Sequence, residues 1–131
     1  MKTLILAPEA VEAFKGLFPS YTRAHGLFEI GGTDVRTGKM KGAARTLNTQ
    51  APNQTWVEHL AGAPRGLGAI PLLDDGESVQ WAAIDIDDNA INHVDLERIV
   101  SELGLPLVVC RSKSGGAHCY LFLEKPCPAV D

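Results

Sequence analysis

The chain has no surplus of positive charge: over 131 residues its formal net charge is −4, so bulk attraction cannot hold nucleic acid and any such contact has to be local. It also lacks paired cysteines. Cys110, Cys119 and Cys127 are odd in number and form no C-x-x-C, which removes a disulfide framework and a zinc knuckle and leaves Cys110 and Cys119, within strand-like runs, as small buried thiols in a reducing compartment. No apolar run approaches the roughly 18 residues of a membrane span, and the opening Met1-Lys-Thr-Leu-Ile-Leu-Ala-Pro8 has no leader cleavage region. The expectation is mature sequence that stays in the cytoplasm. A G-x-x-x-x-G-K-[ST] is missing, which excludes P-loop chemistry. There is no repeat, low-complexity stretch or domain boundary, so residues 1–131 read as a single domain.

What is present is an ordinary globular composition, 45% apolar and 21% charged, enough to bury a core. The spacing of Val11, Phe14, Leu17 and Phe18 predicts an amphipathic helix over Ala7 to Phe18, with Pro8 near its start and Pro19 and Ser20 stopping it. From Tyr21 to Asn48 the pattern is loose, with apolar pieces around Leu27 to Ile30 and turns at Gly31-Gly32 and Thr37-Gly38. Pro52 to Ala61 predicts a short helix capped by Asn53. Gly66 to Leu73 is a candidate strand that Pro71 restricts to an edge. Asp74-Asp-Gly-Glu77 then turns it, as a hairpin, into a strand beginning near Trp81. Next come a helix over Asn89 to Leu103 closed by Gly104, a strand over Leu105 to Cys110, a polar turn, and a returning strand over His118 to Leu123. Strand, helix, strand predicts a parallel pair with a right-handed crossover. The expected class is α/β in the α+β sense, a mixed sheet flanked by helices.

Two stretches carry polar groups that buried strands do not need. In Trp81-Ala-Ala-Ile-Asp-Ile-Asp87 the carboxylates of Asp85 and Asp87 are one residue apart, and alternation sends both to one face, roughly 6 to 7 Å apart at about 3.3 Å per residue. That suits a shared divalent cation; without one, like charges raise each other's pKa. The rival reading is a strand end running into an Asx turn, with Asp88 or Asn89 capping the next helix. It does not account for Asp85, flanked by Ile84 and Ile86, which needs a charge partner if buried.

The second stretch, Arg111-Ser-Lys-Ser-Gly-Gly-Ala-His118, offers two cations (Arg111, Lys113), two hydroxyls (Ser112, Ser114), a backbone made approachable by Gly115 and Gly116, and a histidine, His118. These are the parts of an anion cradle, and the rival is a polar hairpin loop with a satisfied histidine. The crossover should lay this loop near Asp85 and Asp87, and a cation site beside a phosphate site is a nucleotide site. His25, His59 and His93 have no comparable setting and read as surface or helix-face residues. Ser112 and Ser114 lack a base and an orienter, so a nucleophilic hydrolase is poorly supported. Arg36, Lys39, Lys41 and Arg45 have no acid among them and read either as solvated surface or as a contact to nucleic-acid phosphates.

With these motifs the chain resembles the archaeo-eukaryotic primase superfamily, the primase-polymerases, and looks most like its phage and TOTE-conflict-system branch. Asp85 and Asp87 match a D-x-D at a strand end, and Ser112-Lys-Ser-Gly-Gly-Ala-His118 matches a motif ending in histidine. Thr37-Gly-Lys39, His59-Leu-Ala-Gly62 and Gly66-Leu-Gly-Ala-Ile-Pro-Leu72 are similar to segments upstream, so the resemblance spans about residues 21 to 128. It implies that Asp85 and Asp87 bind catalytic Mg²⁺ or Mn²⁺. It implies too that Arg111, Ser112, Lys113, Ser114, Gly116 and His118 contact the nucleotide, and that Asp85, Asp87 and His118 are catalytic in template-directed nucleotidyl transfer. The implied partners are nucleoside triphosphates, a DNA template and primer or RNA, and a helicase or C-terminal domain of the same polypeptide, in a bacterium or phage-infected host. The family has a third acid in a later element that these residues do not supply, so the expectation is one lobe of a longer enzyme. The rivals are a non-catalytic nucleotide- or nucleic-acid-binding module of the same fold and a metal-dependent nuclease using the same carboxylates.

Overall fold

A computed structural model describes residues 6–38 and 40–130; Lys39 of the basic cluster lies outside them. Along the described residues run α1 (Pro8–Leu17), β1 (His25–Thr33), β2 (Met40–Leu47), α2 (Asn53–Leu60), β3 (Arg65–Gly68), β4 (Ser78–Ile86), α3 (His93–Glu102), β5 (Val108–Arg111) and β6 (Ala117–Pro128). The class is α+β, as expected, with the strands shared between two three-stranded antiparallel sheets ordered β2-β1-β3 and β4-β6-β5. The chain divides into two compact units: one reaches Gln80 and takes in the chain again from Pro126, the other is Trp81–Lys125. No helix among the described residues is long and apolar enough to cross a membrane.

In the first unit β1 is the central strand, paired with β2 from His25↔Leu47 to Thr33↔Met40 and with β3 from Gly26↔Gly68 to Glu29↔Arg65. Gly31 and Gly32, expected as a turn, lie inside β1 at a register shift between Ile30 and Gly32. The chain turns instead at the expected Thr37-Gly38, where the Asp34 carboxylate accepts from the Arg36 and Thr37 amides and the Gly38 amide donates to the Asp34 carbonyl. The expected hairpin from Gly66–Leu73 into β4 does not form: β3 stops at Gly68 and pairs with β1. Pro71, which has no N–H to donate, is consistent with pairing ending before it. Asn53 is the first residue of α2 rather than its cap, which falls on Pro52 without a side-chain bond; the Asn53 Oδ1 instead accepts from Lys15 Nζ at 3.1 Å. Phe14 of α1 meets Trp56 of α2 edge-on at 6.2 Å, and Val11, Leu27 and Trp56 are buried. His25 is buried too, not on the surface as expected, and its Nδ1–H donates to the Thr49 carbonyl at 2.6 Å. It is tolerated inside because that bond satisfies it.

In the second unit, β5 and β6 form the expected hairpin, registered from Val108↔Tyr120 to Arg111↔Ala117, but the expected parallel pair of β4 with β5 does not form, because β6 lies between them. The helix α3 is capped by Asn92, whose side chain accepts from the Val94 and Asp95 amides; neither Asp88 nor Asn89 caps it. Asp88 makes an Asx turn instead, accepting from the Ala90 amide at 2.9 Å. Trp81, Val100, Ala117 and Cys119 are the buried residues of this unit's core. The stretch read as a buried strand is buried only at Trp81, and Ile84 is 56% exposed.

Candidate functional site

Strand alternation puts Trp81, Ala83 and Asp85 of β4 on one side, and His118, Tyr120 and Phe122 of β6 on one side. The ring contacts join the two sets: Trp81 lies 6.3 Å from Tyr120, which lies 5.9 Å from both His118 and Phe122. At the end of this row the His118 Nε2 stands 3.3 Å from the Asp85 Oδ1. The other ring nitrogen, Nδ1, faces the Tyr120 hydroxyl at 3.3 Å. Burial above all, with charge on Cys110 and Asp85 adding to it, pushes the Tyr120 phenol up, so it stays neutral in neutral solution.

Asp85 is therefore partnered, but for a different reason from the one its neighbours suggest. Its side chain is 65% exposed and that of His118 39%, so the pair is solvated and holds the fold only weakly. Asp87 lies one residue beyond the end of β4, exposed, in the segment leading to the Asp88 turn. The D-x-D thus straddles a strand end instead of lying on one strand face.

The cradle loop is built tightly against that same strand end. The Ser112 amide donates to the Gly116 carbonyl at 2.9 Å and the Gly115 amide to the Ser112 carbonyl at 3.1 Å. The hydroxyls of Ser112 and Ser114 are 3.0 Å apart. Gly115 has φ +99°, a conformation side chains rarely adopt. Gly116 is buried, and a Cβ there would collide with the carbonyl oxygen of Ile86, the residue between the two aspartates. A Cβ at Gly115 would come within 4.0 Å of the Arg111 guanidinium and 3.9 Å of the Asn89 side chain. The sequence places cradle and carboxylates apart; the fold brings them together in one unit.

Comparison with protein-family models gives one decisive result: the model for the TOTE conflict system, Archaeo-Eukaryotic Primase domain, matches residues 12–131. The chain belongs to that family. No curated protein and no solved structure matches it.

Within this primase domain, two residues near the cradle carry no sequence motif. His93, expected on a helix face, donates its Nε2–H to the Gly116 carbonyl at 2.8 Å. Tyr120 completes the line from Asp85 through His118. Each had a signal: His93 follows a residue with N-cap chemistry, Asn92, and Tyr120 stands two positions from His118 on the same strand face. His59 is held between elements of the first unit, its Nδ1 accepting from the Leu67 amide at 3.2 Å, and burial lowers its pKa. The basic cluster is not acid-free once folded. Lys41 pairs with Asp34 at 3.2 Å, and Arg45 at 3.5 Å shares Glu29 with Arg65 at 3.1 Å.

Asp85 and Asp87 offer hard oxygen donors, and among the described residues no group of three or more His, Cys, Asp or Glu is clustered for a metal. Such a donor set fits Mg²⁺ or Mn²⁺, which can bind through one or two carboxylates and complete their shells with water and substrate phosphates.

Proposed function

We propose that this primase domain binds a nucleoside triphosphate with a divalent ion and transfers the nucleotide to a 3′-hydroxyl on a nucleic-acid template. The observation that carries the reading is the approach of Gly116 to the Ile86 carbonyl, which packs the cradle loop against the residue between Asp85 and Asp87. Family membership supports a primase-like fold for the site.

In this reading Asp85 and Asp87 hold Mg²⁺ or Mn²⁺. The ion supplies charge neutralisation at the phosphates and acidifies the attacking hydroxyl. The Arg111 guanidinium and Lys113 ammonium face the triphosphate, where fixed cations stabilise the charge that builds on the leaving pyrophosphate. Ser112 and Ser114 donate hydroxyl hydrogen bonds, and Gly115 and Gly116 keep side chains away so that phosphate oxygens reach the backbone. The His118 Nε2 stands 3.3 Å from a carboxylate oxygen of Asp85, and in this reading that nitrogen serves a phosphate oxygen when nucleotide enters. Tyr120 faces Nδ1 of that ring. Arg36, Lys39, Lys41 and Arg45 are the residues through which the domain would touch template or primer phosphates.

A second reading has its own support. Asp85 is paired with His118, and no third acid joins it and Asp87 among the described residues, which suits a module that binds nucleotide without turning it over. Incubation with a primed template, nucleotides and Mn²⁺ or Mg²⁺ separates the possibilities. Primer extension supports the transferase, shortening supports a nuclease, and triphosphate binding without either supports the binding module.

A further inference from the structure

We propose that His93 is a positioning residue that fixes the cradle loop for the triphosphate, an inference that rests on the nucleotide reading of that loop. The Gly116 carbonyl accepts two hydrogen bonds, from the Ser112 amide inside the loop at 2.9 Å and from the His93 ring outside it at 2.8 Å. A carbonyl can only accept, so the His93 proton sits on Nε2. The same residue, Gly116, lies against the Ile86 carbonyl with no room for a side chain. One glycine is thereby tied to the strand end carrying Asp85, to the start of α3, and across its own loop.

The segment joining Asp87 to His93 is itself fixed at both ends. Asp88 takes the Ala90 amide and Asn92 takes the Val94 and Asp95 amides. Asn89 reaches the neighbourhood of Gly115 from the same segment. His93 is thus a side chain through which the Asp87 segment is hydrogen-bonded to the backbone of the cradle. Without it the loop keeps its internal Ser112–Gly116 bond but loses its tether to the helix that follows Asp87. Its effect falls on phosphate contacts made by the loop, not on the base or sugar.

The test compares His93→Phe, which keeps a flat ring and removes the donor, with His93→Gln, whose amide can reach the same carbonyl. In titrations with a nucleoside triphosphate and Mg²⁺, His93→Phe is expected to weaken binding about threefold to tenfold, the loss of one hydrogen bond. Binding of the parent nucleoside should not change, and His93→Gln should restore triphosphate affinity. Hydrogen exchange at the Ser112 amide gives a readout without ligand: it should speed up by a similar factor in His93→Phe and return in His93→Gln. Unchanged affinity and exchange in His93→Phe overturn the proposal, and so does an equal loss for nucleoside and triphosphate, the mark of a merely structural histidine. If the unaltered protein binds no triphosphate, the nucleotide reading fails, and the Ser112 exchange still decides whether His93 holds the loop.

Discussion

An exposed carboxylate costs little to keep ionised, and in the proposed reading Asp85, with 65% of its side chain in solvent, would exchange His118 for a cation without a large desolvation penalty. Gly116 is the less forgiving residue. A methyl group there meets the Ile86 carbonyl, so Gly116→Ala should destabilise the protein by about 1–3 kcal/mol, the usual cost of overpacking, and weaken triphosphate binding in the same preparation. Chemical denaturation and titration of that one variant check both. The acidic residues of the turns give a pH signature instead. The Asp74 carboxyl is held below its usual range first by the Thr22 hydroxyl, Asp75 by the Ser78 hydroxyl, and Asp34 by Lys41. A carboxyl with a depressed folded pKa contributes stability that is present above its unfolded value, near 3.8, and is lost as pH falls through the folded value. The melting temperature should therefore drop on acidification below about pH 4, and Asp74→Asn should flatten that drop. His59, lowered by burial from 6.5, acts earlier: its unfolded form binds the proton first, so stability is full above that value and declines below it.

At the scale of elements, α3 depends on its cap. Asn92 satisfies two amides of the first turn, so Asn92→Ala should cost about 1 kcal/mol in urea unfolding, and because His93 follows directly, it should also speed exchange at Ser112. The sequence made α1, the β5–β6 hairpin and the existence of α3 legible, since each has an apolar period and a proline or glycine at an end. What it hid were choices between equivalent local chemistries. Asp88, Asn89 and Asn92 are all good caps, and only the path of the loop decides among them. Gly31-Gly32 fits a turn as well as a bulge, and Asp34 decides. The pairing of β3 with β1 is non-local and leaves no trace in either strand alone.

At the scale of the molecule, both halves of the candidate site were legible as residue types, but they converge because β6 takes the place beside β4 and not through the parallel β4–β5 pair that the strand-helix-strand order suggests. The contacts through which they meet were not. Burial of the D-x-D strand was inferred from its apolar run, yet Ile84 is 56% exposed, because an apolar run reports propensity for a strand and not what covers it. The basic cluster misled similarly, since Glu29 and Asp34 come to it across a hairpin and not along the chain. In the proposed reading Asp85, Asp87 and the Arg111–His118 loop make one nucleotide site. Calorimetric titration of a nucleoside triphosphate with Mg²⁺ or Mn²⁺ tests it most directly. Binding should require the divalent ion, fall at least about tenfold, or 1.4 kcal/mol, in each of Asp85→Ala and Asp87→Ala, and stay intact in Asp75→Ala. An affinity unchanged by both substitutions and by chelator would contradict it.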